Sequence, residues 1–264
     1  MAIFGHSRAW HAIMLTCGMT WLGPACLSAG PLDSSGAPEL AGRSAEPFGL
    51  SAAALSAGGL REKWRAVERK LEDERVQLAL CDGDREGCAS PAALRLLAIV
   101  DSARIREGRA RLGEINRAIN LAIRPMSDLA QHGEIDVWSS PLATFASGSG
   151  DCEDYAIAKF AALRLAGVSP DDLRIVIMRD TIQSEDHAVA AARLEGHWLM
   201  LDNRRMAMVE DGQVRNYRPS FVIDQYGVMQ YAAAPLLANL PSPDRAPSPA
   251  LNLAGEPHLF SSAN

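Results

Sequence analysis

The chain has 264 residues, a formal net charge of −6 and 48% hydrophobic residues, enough for one good-sized core or two small ones. Its acidic balance, with arginines scattered rather than gathered in a block, excludes a nucleic-acid partner. After residue 29 no apolar run is long enough to span a bilayer.

The N-terminus carries a basic flank (His6, Arg8), an apolar run from Ala9 to Leu22 and small residues ending at Ala29, the pattern of a secretory signal peptide over residues 1–29. Such a signal makes the protein periplasmic or secreted, or tethers it by its N-terminus where the signal is retained. Gly23-Pro24-Ala25 before Cys26 is a poor lipidation box. Residues 30–59, rich in Ala, Gly, Ser and Pro, read as a flexible leader. From Leu60 to Leu80 the spacing of Leu60, Trp64, Val67, Leu71 and Leu78 predicts an amphipathic helix. Pro91 starts a second helix that runs through Ile105, and a third, shorter one spans Gly113 to Ile123. Between the first two, Cys81 and Cys88 flank the polar segment Asp82 to Gly87 and are expected to pair in an oxidising compartment.

Residues 128–150 form a long irregular approach, with Trp138 expected to line a cleft, to the stretch Gly148-Ser149-Gly150-Asp151-Cys152-Glu153-Asp154-Tyr155. Two glycines and an acid followed by good helix formers up to Gly167 predict a loop that turns into a helix at Asp151 or Cys152. After Pro170 the texture becomes β-like. Runs at 173–178, 187–194 and 198–201 surround a Glu195-Gly196 hairpin turn, a second hairpin is expected around Asp211-Gly212, and Phe221-Val222-Ile223 reads as the last strand. Helices first and an antiparallel sheet second indicate an α+β domain over residues 60–232, followed by a disordered Pro-rich tail at 233–264.

A cysteine in a helix's first turn meets unpaired N–H groups and the positive end of the dipole, which favour the nucleophilic thiolate. Against this stands the common role of a free cysteine as a small buried hydrophobe. Loss of the signal removes Cys17 and Cys26, so Cys152 becomes an odd thiol in an exported protein, which favours use. No cysteine or histidine pair has zinc-ligand spacing. A hairpin centred on Glu195-Gly196 sets Asp202 opposite Val189, and His187 shares the face of Val189, so His187 and Asp202 are diagonal neighbours within hydrogen-bond reach. If the Cys152 helix packs on that face, Cys, His and Asp form a nucleophile, base and orienter. The bland alternative is an edge-strand histidine and a turn aspartate. Around the cysteine, Asp151, Glu153 and Asp154 would repel one another and hold the thiol proton unless a hard cation neutralised them, or they simply cap the helix and complement its dipole.

Gly150-Asp151-Cys152-Glu153-Asp154-Tyr155, Asp186-His187-Ala188-Val189, Leu199-Met200-Leu201-Asp202-Asn203 and the Asp136-Val137-Trp138-Ser139-Ser140-Pro141 approach resemble the bacterial transglutaminase-like cysteine proteinases, from about Trp64 to Val228. The resemblance implies a papain-like, transglutaminase-like fold with N-terminal helices packed on a C-terminal antiparallel sheet, and a protease with Cys152 as nucleophile, His187 as base and Asp202 as orienter. It also implies calcium dependence with Asp151 and Glu153 as ligands; Asn116, Asn120 and Asp128 are candidates for the remaining positions. The substrate it implies is a surface or secreted adhesin-like protein, with an inner-membrane receptor as regulator. An amine in place of water would make the same site a transglutaminase, and an idle thiol would leave a binding module.

Overall fold

The computed structural model describes residues 46–232; the expected signal peptide and Pro-rich tail lie outside them. The described residues begin at Glu46, inside the segment read as flexible leader, and carry regular structure there. A 3-10 turn at Pro47–Gly49 leads to strand β1 (Ala52–Ala54). Five helical segments follow before the key cysteine: α1 (Gly59–Gly83), α2 (Pro91–Arg104), α3 (Gly108–Ala122), and, after the two-residue strand β2 (Arg124–Pro125), α4 (Asp128–His132) and α5 (Pro141–Ser147). Strand β3 (Ser149–Gly150) then delivers the chain to α6 (Cys152–Leu165). The approach at 128–150 is therefore not irregular throughout. Its two short helices carry little periodicity, and burial of Leu142, Thr144 and Phe145 against neighbouring helices holds the second.

The stripe predicted for the first helix is buried at Trp64, Val67 and Leu78, and the Cys81–Cys88 disulfide closes the turn into α2. Ser90 caps α2, its hydroxyl accepting the Ala93 N–H at 3.2 Å, and Pro91 occupies the first turn, where its missing N–H costs nothing. α6 is apolar nearly all round, as a central helix must be: Tyr155 to Phe160, Ala162 and Leu163 are all buried.

The second half is one antiparallel sheet built from β4 (Leu173–Asp180), β5 (Glu185–Leu194), β6 (His197–Leu201), β7 (Val209–Glu210), β8 (Tyr217–Asp224) and β9 (Gly227–Tyr231), with β1 added at its edge, in the order β1-β9-β8-β4-β5-β6-β7. Glu195 and Gly196 both have positive φ (52° and 80°), the tight-turn geometry that fits the strands' twist. This turn fixes the expected register, with Ala190 opposite Leu201 and Leu194 opposite His197. The hairpin expected around Asp211-Gly212 does not form: β7 pairs with β6, a 3-10 turn occupies Asp211–Gln213, and β8 crosses to pair with β4. The β4–β8 ladder slips between Ile177 and Met178, where Pro219, which has no N–H to donate, stands opposite Met178. Phe221-Val222-Ile223 lies in the C-terminal half of β8 and is not the last strand; β9 follows it.

Each sheet face is covered. Ala188, Ala190, Ala192, Leu199, Leu201, Ile175 and Ile223 join the helices in the larger core. Val176, Met178, Val189, Ala191, Trp198 and Met200 form a smaller core on the other face, with Phe48, Leu50 and Ala52 packed over it. The N-terminal strap is fastened by Glu46, which takes two hydrogen bonds from the Arg174 guanidinium at 2.7 and 2.8 Å. No described helix is long and apolar enough to cross a membrane.

Candidate active site

Asp151 is the N-cap residue of α6 and Cys152 its first helical residue. β3 aims this start: Ser149 and Gly150 pair in parallel with Arg124 and Pro125, which binds the loop before the cysteine to the exit of α3. Gly150 is required there by close approach, since a Cβ on it would sit 2.6 Å from an Asp154 carboxylate oxygen. The other oxygen of Asp154 accepts the Ser139 N–H at 2.8 Å, tying the approach segment to the helix start.

The Cys152 thiol is half-buried. It donates to Glu153 Oε2 at 3.1 Å, and its sulfur meets the backbone N–H of Ala188. Burial and the Glu153 carboxylate push the thiol well above the usual range, and the Ala188 N–H only partly opposes them. Position at a helix start alone would favour the thiolate; in this charge state it is overridden.

His187 is buried on β5, with Nε2 2.9 Å from Asp202 Oδ1 and its ring 5.8 Å from that of Tyr217. The diagonal contact expected from the register is therefore present. With Asp202 as acceptor the proton sits on Nε2 and Nδ1 is left as the basic nitrogen. That Nδ1 is buried and has no hydrogen-bond partner. Burial works to raise the Asp202 pKa, but hydrogen bonds from His187 and the Arg204 N–H, with the nearby charges of His187 and Lys159, bring it below the ordinary carboxylate value.

The third arm differs from the sequence expectation. α6 packs on the face that carries Ala188, Ala190 and Ala192, whereas His187 lines a small cavity on the other face with Met178, Val189, Met200 and Asp202. No hydrogen bond joins Cys152 to His187 in this structure. They are linked through the start of β5, where the sulfur reaches the N–H of Ala188, the residue next to the histidine.

Asp151 and Glu153 are joined by Asp128 of α4: one carboxylate oxygen from each lies within 4.8 Å of the other two. Asp151 makes no capping bond, and its buried Oδ1 has no partner. Burial, then the charge of Glu153, pushes its pKa up to about 8; burial also raises Glu153. Three crowded acids with an orphaned oxygen are a donor set that suits a hard, oxygen-seeking cation better than they suit one another. Of the other candidates, Asp154 stands outside this group. Asn116 and Asn120 donate their Nδ2–H groups to the carbonyls of Asp202, Arg205 and Met206 at 3.0–3.2 Å, and their Oδ1 atoms are buried without a partner. Trp138 is half-buried and donates to Asp136 at 2.9 Å. Three site residues carried no sequence signal: Tyr217 on β8, Arg204, and Lys159 two turns along α6 from the cysteine. A cavity of about 360 Å³ between α1, the C-terminal half of α6 and the β8–β9 turn includes none of Cys152, His187 and Asp202.

Residues 78–223 match the family described as bacterial transglutaminase-like cysteine proteinase BTLCP. Among solved structures, the EGTA-treated form of Legionella pneumophila LapG is similar, at 23% identity over 62% of this chain and 86% of its own, with a TM-score of 0.50. The calcium-bound form matches at 22% identity over 63% and 92%, with a TM-score of 0.49. At such identity the likeness is one of fold. No curated protein sequence matches the chain.

Proposed function

The chain belongs to the bacterial transglutaminase-like cysteine proteinases, and from that premise we propose that it is an exported, calcium-dependent endopeptidase with Cys152 as nucleophile, His187 as base and Asp202 as orienter. The observation that carries the assignment is the His187–Asp202 hydrogen bond of 2.9 Å, which leaves a buried, partnerless Nδ1 next to the residue whose N–H meets the Cys152 sulfur. Nδ1 takes the thiol proton and the thiolate attacks a peptide carbonyl. The Cys152 backbone N–H, free at the helix start, supplies one donor to the developing oxyanion, an interaction of about 3–4 kcal/mol. The imidazolium then protonates the leaving amine, and water attacks the thioester to release the acyl half and the free thiol.

Asp128, Asp151 and Glu153 would hold the calcium ion, whose charge offsets the acids that raise the thiol's pKa. By holding α4 against the start of α6 the ion is structural rather than a Lewis acid. LapG of Legionella pneumophila has been solved in calcium-bound and EGTA-treated forms. A secreted or cell-surface protein such as a large adhesin as substrate, and an inner-membrane receptor as regulator, rest on family resemblance. Mass spectrometry of the proteins released by cells carrying the wild type or Cys152→Ala tests the assignment. Fragments with new termini should appear only with the wild type; identical profiles would remove Cys152 from the role of nucleophile, and ammonia release with isopeptide products would make the enzyme a transglutaminase.

A further inference from the structure

Asp202 stands one residue past the end of β6, whose pairing with β5 stops at Leu201, so the sheet ladder does not itself hold the aspartate. Two helices do. From α6, Lys159 Nζ donates to the Leu201 carbonyl at 3.0 Å. From α3, Asn120 Nδ2 donates to the carbonyls of Asp202 and Arg205, both at 3.0 Å, and Asn116, one turn earlier, holds Arg205 and Met206. The peptide links on both sides of Asp202 are thus gripped by side chains.

Lys159 is an odd choice for this place if packing were its only duty. It is 0% exposed, and lysine is almost never fully buried without a paired charge. Yet no carboxylate forms an ion pair with it among the described residues. The groups that face it are the Tyr155 ring, 5.8 Å from Nζ, and Asp202, whose charge acts on it without contact. Burial draws its pKa down to about 7, with Asp202 opposing the fall. A methionine would fill similar volume without a desolvation cost. The amine and the ammonium both carry N–H groups, so the grip on Leu201 holds in either state.

We propose that Lys159 is a positioning residue for the reaction: with Asn120 it fixes the backbone on either side of Asp202, so that the carboxylate stays aligned on His187 Nε2. The inference rests on the Cys152–His187–Asp202 assignment, and its test is chosen to stand apart from it. In Cys152→Ala protein labelled with 15N-histidine, the hydrogen-bonded His187 Nε2–H gives a downfield proton resonance that needs neither nucleophile nor turnover. Adding Lys159→Met should abolish or broaden that resonance while the melting temperature holds or rises, a split that simple loss of packing would not produce. Asn120→Ser, at a half-buried position, should weaken it too. An unchanged resonance in folded Lys159→Met overturns the proposal; if that variant fails to fold, an unchanged resonance in Asn120→Ser overturns it. Iodoacetamide alkylation of wild-type Cys152 tests the underlying assignment separately: slow alkylation, together with loss of the resonance in Lys159→Met, would discard the nucleophile and retain the clamp.

Discussion

At Cys152 a helix start and a ring of acids pull in opposite directions. The dipole's field is worth up to about 2 kcal/mol in favourable geometry, and burial beside Glu153 exceeds it, so the thiol pKa rises. The same crowding makes stability depend on pH. Asp151 and Asp154 are raised, to about 8 and about 7, from unfolded values near about 4, so over that interval the folded state binds more protons than the unfolded one. Their contribution is therefore complete below about pH 4 and lost as the pH rises through the folded values. Lys159, lowered to about 7, has the opposite trend above neutrality, and Asp202, lowered, acts below pH 4, which leaves pH 4–7 as the clean window. With EGTA present, the melting temperature should fall across that window; with calcium the fall should flatten. A flat curve in EGTA would show that the acids are not in conflict. Gly150→Ala, which thrusts a Cβ to within 2.6 Å of Asp154, should lower activity and melting temperature together. Asp202→Asn should keep a small residue of activity, because the amide still stands beside His187 but no longer selects the tautomer with a basic Nδ1.

Between elements, what could be foreseen from the chain was whatever local chemistry fixes. The Glu195-Gly196 turn admits one register, so the pairing of His187 with Asp202 followed from counting residues. The burial pattern of α1, the Pro91 start of α2 and the start of α6 at Cys152 followed from spacing and caps in the same way, whereas α2 buries Leu96, Val100 and Ala103 and leaves Ala98 and Ile105 exposed. Choices made by distant partners were illegible. β1 is three alanines with no alternation and becomes a strand because β9 offers an edge. β7 looked able to fold back on the next segment and pairs with β6 instead. Lys159 carries no signal of its role within an apolar helix, because the Leu201 carbonyl it donates to lies on a distant strand. Asn116 and Asn120 carry no local cue to the distant loop at Asp202 that takes their Nδ2–H groups. The α1–α2 junction allows a direct test: replacing Cys81 and Cys88 with alanine should lower stability by about 2–3 kcal/mol in the chain-entropy account, with cleavage unchanged at temperatures where the variant is folded. Reduced activity at unchanged stability would tie the disulfide to the site.

Over the described molecule, the site's two halves depend on opposite sheet faces. The helical core carries Cys152 and the acids, while the smaller core lies beside His187 and Asp202 and is covered by the strap of Phe48, Leu50 and Ala52. Removing the chain up to Gly58 should therefore expose Trp198 and Met200, depress the melting temperature and loosen the histidine, although no residue of the strap enters the site; a truncated protein of unchanged stability would show the strap to be ornamental. The central claim is that Cys152 is a nucleophile activated by His187 and permitted by calcium. Its most direct test is the rate at which iodoacetamide alkylates Cys152 in calcium, in EGTA and in His187→Ala. The account predicts alkylation faster than a free thiol in calcium and a marked slowing in each of the other two. A rate no faster than a free thiol's in calcium, or one indifferent to both chelation and His187, would contradict it.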